Sequence, residues 1–478
     1  MWTRCLLVLT LLFSIVAIPL ALQTGETSEK QTEQRQLKIL TPHNETIRRE
    51  FGEAFTRYYK EETGEQIYVN WLTPGGTSEI RRVLDSGFAA AHVLSKEGPG
   101  IDVFFGGGDY IFQKQAEMKP SRLVELEVFR TRAELFQEGN IPSSFTGETY
   151  YDVDRKWVGL CLSQFGICYN DDTLKRLNLS PPTEWRDLTA PSYHGQIALA
   201  DPTKSGSVAK AFEMLLQQEL QLASTPEEGW RRGMNVIKKI AANARYFTDS
   251  ATKIPQDVAQ GDSAAGFCVD FYGKTLSERL RAADGRSRLQ WTAPEGGTSV
   301  SVDPVAILAG ADEVELAQEF VNFCLSKEGQ LLWINRRGSG IGPKHRPLRR
   351  FPIRRDLYSE ENVKAFSDTE DLPYSRKQQF IYKPELTARG FGALRLAIRV
   401  MCIDPHHELK EAYLSRPSGH ALDIFEDIEP LTYEYVMGEL PVILEEKSAL
   451  EVAQLTSQLS EEFRNRYLQV VQKGKGSE

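Results

Sequence analysis

Residues 157–207 constrain the fold more than any other stretch, because strand and helix signals alternate there over a short distance. Residues 157–169, WVGLCLSQFGICY, read as a long strand, and Asn170, Asp171 and Asp172 open a helix-sized segment. Residues 181–188, PPTEWRDL, follow, and a second strand at 196–200, QIALA, runs into 201–207, DPTKSGS. A helix rich in alanine and leucine begins directly after it. A Ser-Gly-Ser turn at a helix start presents free N–H groups and two hydroxyls, which suit an anionic or polar ligand. The alternative is a plain N-cap turn.

The first hundred residues repeat the strand–turn–helix unit. Residues 37–41, LKILT, form a strand ending near His43 and Asn44, and Ile47, Phe51, Phe55, Tyr58 and Tyr59 mark an amphipathic helix that Gly64 closes. The strand at 66–71 ends at the turn Pro74, Gly75, Gly76, Thr77 and Ser78, and the strand at 101–105 at Gly106, Gly107, Gly108 and Asp109. This is the pattern of an open parallel sheet, whose ligands bind beyond the carboxyl ends of the strands. The three turns therefore belong on one rim, and Arg81 and Arg82 put positive charge near the second helix start, the alternative being that they are simply solvated.

Taken in order, the motif Gly159-x-x-x-Ser163-x-x-Gly166-x-x-Tyr169-Asn170, the segment Pro182-x-x-Trp185-x-Asp187-Leu188 and the run from His194 to Ser207 resemble the second lobe of periplasmic solute-binding proteins of ABC importers. The ferric-iron group of that family is the nearest in pattern. The turns at His43–Asn44, Gly75–Ser78 and Gly106–Gly108 resemble its first lobe, and the resemblance runs over residues 37–358. It implies an α/β fold of two lobes, type II-like, with crossover hinges near 153–160 and 298–304. Lobe one would comprise 37–155 with 300–345, lobe two 156–299, and a mostly helical extension 346–478. The extension either packs on a lobe or docks a partner. Hinge closure around the ligand is the motion this fold implies.

The ligand-binding residues implied are His43, Asn44, Gly76, Thr77, Ser78, Gly107, Gly108, Ser163, Ser205, Gly206, Ser207, Asp270 and Tyr272. Ferric relatives use tyrosinate oxygens, often from two adjacent tyrosines. Here Phe271 stands beside Tyr272, and the pair Tyr150–Tyr151 lies outside the motif. His43, Asp270 and Tyr272 would be metal ligands only under the ferric alternative. A small phosphorylated or carboxylated organic anion fits the helix starts better, held between Gly76–Ser78 and Ser205–Ser207. The partners expected are that solute, or ferric iron, and ABC permease subunits. The chain is expected to be a monomer without a resident cofactor. A sensor or an enzyme on the same fold is the rival class, since fold does not set function; no Gly-x-Ser-x-Gly, Walker or His-Glu-x-x-His motif occurs, and no catalytic residue is assigned.

Residues 1–22 carry one charge, Arg4, and an apolar run from Leu6 to Leu22, which reads as a secretory signal peptide or, alternatively, an uncleaved anchor. That places the chain in the periplasm or another extracytoplasmic space, and residues 23–36 read as a polar linker. The formal charge of −9 argues against nucleic acid as a partner. Apart from Cys5, the cysteines are Cys161, Cys168, Cys268, Cys324 and Cys402, in no zinc spacing. Most read as buried apolar residues. Adjacent His406 and His407 point apart on a helix and read as structural rather than metal-binding. The basic run 344–355 reads as a solvated surface strip, with a contact for acidic lipid or a partner as the alternative.

Overall fold

The computed structural model describes residues 34–137, 139–375 and 379–475. The expected signal peptide lies outside the described residues, as does most of the expected linker. The linker ends earlier than Gln36, because Arg35 and Gln36 already pair with Ile67 and Tyr68.

In chain order the first unit contains β1 (Arg35–Leu40), α1 (Glu45–Thr63), β2 (Ile67–Leu72), α2 (Thr77–Val93), β3 (Val103–Phe105), α3 (Asp109–Glu117) and a hairpin of β4 (Ser144–Phe145) and β5 (Glu148–Thr149). Then come β6 (Trp157–Ser163), β7 (Phe165–Asn170), α4 (Asp171–Leu177), β8 (Ile197–Ala200), α5 (Gly206–Leu222), α6 (Pro226–Ala242) and β9 (Ala244–Thr248). The chain continues through α7 (Ile254–Gln260), β10 (Ala265–Val269), α8 (Asp270–Arg279), β11 (Leu289–Thr292), β12 (Ser301–Ile307), α9 (Val314–Leu325) and α10 (Lys327–Ile334). One sheet has the order β2-β1-β3-β12-β6 and the other β11-β7-β10-β8-β9. In the first, β1, β2 and β3 are parallel, and β12 runs antiparallel to both β3 and β6. Interleaved membership of β12 is what makes two lobes with two connections rather than two independent domains.

Strand pairing moves the first expected crossover, while the second begins ahead of 298–304 and overlaps it. The run read as one strand breaks at Gln164. Trp157–Ser163 pairs with β12 in the first sheet, so the change of sheet falls after Ser163 and not near 153–160. Phe165–Asn170 pairs with β10 and β11 in the second sheet. The return falls between Thr292 and Ser301. Every residue of β6 is buried, because both faces of this strand are covered, and such strands read as continuous apolar runs whatever their sheet. This is why hydrophobicity alone did not reveal the break.

The first lobe's core is aromatic. Phe51 and Phe55 on α1 meet Phe105, Phe320, Phe323 and Trp333, with ring centroids 4.4–6.4 Å apart. Truncating any one of these to alanine would cost about 3–5 kcal/mol. The five cysteines that can be described are free and buried, Cys161 in the first sheet and Cys168 in the second.

The C-terminal extension contains α11 (Phe391–Ile398), α12 (His406–Leu414), α13 (Gly419–Glu426), α14 (Leu440–Glu446) and α15 (Ala449–Lys475). On α15, Leu459, Phe463 and Tyr467 are buried, which is the face expected from their spacing. The extension is fastened to lobe two: Trp230 Nε1 donates to Leu431 O at 2.7 Å, and Lys238 Nζ to Phe425 O at 2.5 Å. It also touches lobe one. Tyr382 N donates to Thr146 O at 2.8 Å, and the Phe391 and Tyr110 rings lie 4.7 Å apart.

Gly147 turns the β4–β5 hairpin at φ +80°, and a Cβ there would lie 1.9 Å from Tyr382 O. Gly147→Ala therefore combines left-handed strain with a backbone collision. It is expected to lower the unfolding free energy by about 2 kcal/mol, read as a fall in the urea midpoint; an unchanged midpoint would show that the strap contact is absent in solution.

Candidate functional site

The rim residues converge. His43, Asn44, Gly76, Thr77, Ser78, Gly107, Gly108, Ser163, Ser205, Gly206, Ser207 and Tyr272 all line one cleft between the two sheets, of about 1280 Å³. Asp270 does not line it. That residue is buried at the start of α8, and its Oδ1 accepts the N–H of Phe271 at 2.7 Å. Burial pushes the Asp270 carboxyl up to about 6, and burial pushes the Tyr272 phenol up to about 12.

Several of these groups are already committed to the protein. Asn44 caps α1, its Oδ1 accepting from Ile47 N at 3.1 Å. Ser205 caps α5 through Val208 N. Ser78 Oγ donates to Thr203 O at 2.8 Å and accepts from Arg395 Nη2 at 2.7 Å. The two helix starts therefore touch each other rather than standing apart around a ligand. Thr77 Oγ1 lies 2.6 Å from where a Cβ on Gly206 would stand. The hydroxyls of Thr77 and Ser207 make no protein hydrogen bond among the described residues, and the N–H groups of Thr77, Ser78 and Glu79 precede the first bond of α2, Ile80 N to Gly76 O.

At the base of the cleft sits an ion pair that the sequence reading missed. Asp303 lies at a β-bulge beside Pro304, and a bulge re-aims the side chain it carries. Its Oδ1 accepts from Gly107 N at 2.7 Å and Gly108 N at 2.9 Å. Its Oδ2 accepts from Arg350 Nη1 at 2.5 Å and lies 3.3 Å from His43 Nε2. Burial alone would raise this carboxyl, but the Arg350 guanidinium, His43 and the Gly107 N–H hold it well below the usual range. Arg350 is 1% exposed. Its Nη2 bonds Ser163 Oγ, and its guanidinium lies 4.3 Å from the Phe271 ring and 5.2 Å from that of Trp333. Part of the supposed surface strip is thus interior, because Asp303, Ser163 and two aromatic faces satisfy the charge. Arg349 and Arg354 pair with Glu278 and Asp356. The signal that could have found the pair is Asp303 itself, a carboxylate inside an otherwise apolar strand, which demands a buried cation.

Phe271 occupies the place of the expected second tyrosine, and its ring supports Arg350 rather than a metal. His43 is buried, its pKa is lowered by burial, and its Nδ1 has no partner. Arg350 Nη1 is 3.4 Å from His43 Nε2.

A second buried cluster adjoins the cleft. Lys210 Nζ lies 3.0 Å from Glu213 Oε2 and 3.4 Å from Glu148 Oε2, over the Tyr382 ring at 3.8 Å. Burial, against the pull of Lys210, pushes Glu148 up to about 7. Elsewhere, His406 Nε2 faces Ala241 O at 3.0 Å, and burial lowers its pKa to about 4, while His407 is exposed. The pair serves packing, not coordination.

Four cations lining the cleft, Arg81, Lys204, Arg389 and Arg395, form no ion pair among the described residues. Of the six lining carboxylates, Glu79, Asp85, Asp249 and Asp303 pair with Arg82, Arg122, Lys253 and Arg350, while Asp109 and Glu445 form no ion pair among the described residues. In the lining of this net acidic chain's cleft, the unpaired cations outnumber the unpaired carboxylates, four to two.

Removing one partner of a buried pair leaves the other charge uncompensated. Asp303→Asn is expected to cost about 3 kcal/mol in urea unfolding. Because the folded pKa is depressed, the pair's stabilisation is complete above the unfolded value and is lost as pH falls below about 4. The variant should accordingly show a shallower loss of stability on acidification than wild type, and equal slopes would refute the pairing.

Residues 122–343 match the family model of bacterial extracellular solute-binding proteins. An uncharacterized Haemophilus influenzae protein is 28% identical over 259 residues, 54% of this chain and 67% of its own length. The phosphoglycerate transport regulatory protein PgtC of Salmonella typhimurium is 27% identical over 173 residues, 36% of this chain and 39% of its own length. A candidate extracellular solute-binding protein of Bordetella parapertussis superposes with a TM-score of 0.50 at 15% identity, over 78% of this chain and 99% of that one. No helix among the described residues is long and apolar enough to cross a membrane. Residues 122–343 are similar to the bacterial extracellular solute-binding proteins, and the chain has the two-lobed fold of the Bordetella parapertussis protein.

Proposed function

We propose that the chain captures a small organic anion, phosphorylated or carboxylated, between its lobes and delivers it to the permease of an importer. The observation that carries this reading is the set of unpaired cations beside two helix N-termini in one cleft. Helix dipoles and free N–H groups favour negative charge there, by up to about 2 kcal/mol in a partly buried setting. The name of PgtC, a phosphoglycerate protein, supports the phosphorylated class. The ferric alternative is disfavoured by charge: a trivalent cation at His43 would lie beside the Arg350 guanidinium, and the Asp270 carboxylate does not face the cleft. Binding, rather than turnover, is the activity this arrangement supports, and the solute is met outside the cytoplasm.

PgtC is named a transport regulator, and that favours a second reading in which the captured solute is reported to a signalling partner. The solute chemistry is the same in both.

A thermal-shift series with 3-phosphoglycerate, fructose 6-phosphate, citrate and ferric citrate tests the proposal. A phosphorylated compound at one hundred times its Kd should stabilise the protein by about 2.7 kcal/mol. Stabilisation by ferric iron alone, with a tyrosinate absorption band, would overturn the anion reading.

A further inference from the structure

The C-terminal extension lies beyond the residues that match the solute-binding family, yet Arg395 on α11 lines the cleft. Its guanidinium donates to Pro202 O at 2.6 Å and Thr203 O at 2.8 Å in lobe two, and to Ser78 Oγ at 2.7 Å in lobe one. All three acceptors are uncharged. The residue is 9% exposed and has no carboxylate partner among the described residues. Its Nη1 makes no protein hydrogen bond among the described residues. Arg81, one turn into α2, is exposed and makes neither hydrogen bond nor ion pair among the described residues.

We infer that Arg395 and Arg81 form the subsite for the solute's anionic group, so that the extension is part of the binding site rather than an appendage to it. Two guanidiniums from different parts of the chain line one space, and Asp201 and Glu79, whose charges favour the Arg395 cation, form no ion pair with either guanidinium among the described residues. Asp201 Oδ1 is taken by Thr203 N at 2.8 Å and Thr203 Oγ1 at 2.6 Å. Glu79 leans towards Arg82, at 3.8 Å. Burial, and then repulsion from Arg81, lowers the Arg395 pKa to about 10. A phosphate or carboxylate between the two would relieve that repulsion and accept charge-assisted bonds in the planar geometry guanidinium favours. The free N–H groups at the start of α2 would complete the set.

This subsite deepens the proposed function and rests on that reading only for the organic part of the solute. The test therefore uses inorganic phosphate as well as 3-phosphoglycerate, on the full chain at fixed ionic strength. Arg81→Gln removes an exposed side chain with no bond, so it leaves the fold intact; Arg395→Lys keeps the charge but loses the fork. Phosphate should raise the wild-type Tm relative to chloride, and both variants should lose most of that rise. For 3-phosphoglycerate, each variant should bind at least about tenfold more weakly in calorimetry. Wild type and variants responding alike to both probes, or no wild-type response to either, would overturn the subsite. A phosphate response lost in the variants, with no organic phosphate binding more tightly than phosphate itself, would uphold the subsite and sink the phosphorylated-solute reading.

Discussion

A single buried ion pair holds the parts of this molecule in register. Asp303 takes the N–H groups of the β3 turn, the imidazole of His43 beyond β1 and the guanidinium of Arg350. Arg350 in turn reaches Ser163, the last residue of β6, and lies on the ring of Phe271 at the start of α8. Strand ends of the first sheet, the segment after α10 and the first turn of a lobe-two helix thus meet on two charges. A pair this buried is not strongly stabilising against an apolar replacement, but it penalises any arrangement that separates its members. That penalty enforces how the strands end, and the strand ends are where the cleft opens.

The same pair explains what the cleft can hold. Its own charges cancel, so the floor carries little net charge, and His43 Nδ1 and Arg350 Nε are buried there without a partner. Selectivity then falls to the rim, where unpaired cations outnumber unpaired carboxylates among the described residues. Lys210 is not among these free charges, because Glu148 and Glu213 surround it. A chain with net negative charge would repel an anion at long range, yet a low-dielectric cleft focuses the local field. The floor orders the protein, and the rim meets the solute.

The sequence disclosed this architecture unevenly, for physical reasons. Strand–turn–helix units around His43, Thr77 and Ser205 were legible because glycine-rich turns and helix periodicity are local signals. Twelve residues of the expected site reach the cleft because they lie at strand ends of the two sheets. The break at Gln164 was not legible, since a strand buried on both faces looks the same in either sheet. Arg350 was hidden in a run of arginines whose neighbours are solvated, and only its partner Asp303, far away in sequence, distinguishes it. Ser78 and Ser205 looked like free donors, but whether a hydroxyl is free depends on tertiary partners such as Thr203 and Arg395. Arg395 itself carries no local motif at all.

The bonds that close the cleft also set how the two lobes can part. Ser78 Oγ bridges Thr203 O and Arg395, while Arg395 holds Pro202 and Thr203. The guanidinium has three bonds, two of them to lobe two, and α11 packs there as well. An opening in which Arg395 stays with lobe two would release Ser78 and also part the Phe391 ring of α11 from Tyr110 of lobe one. Net hydrogen bonds are worth about 1 kcal/mol each, more when one partner is charged. Two such bonds favour the closed form by only a few kcal/mol before any solute arrives. A solute that touches both lobes shifts the balance only by the difference in its affinity for the open and closed forms. Under the proposed subsite the cation at the junction would supply that difference, because an anion there would gain both α2 and Arg395 only when the lobes are together.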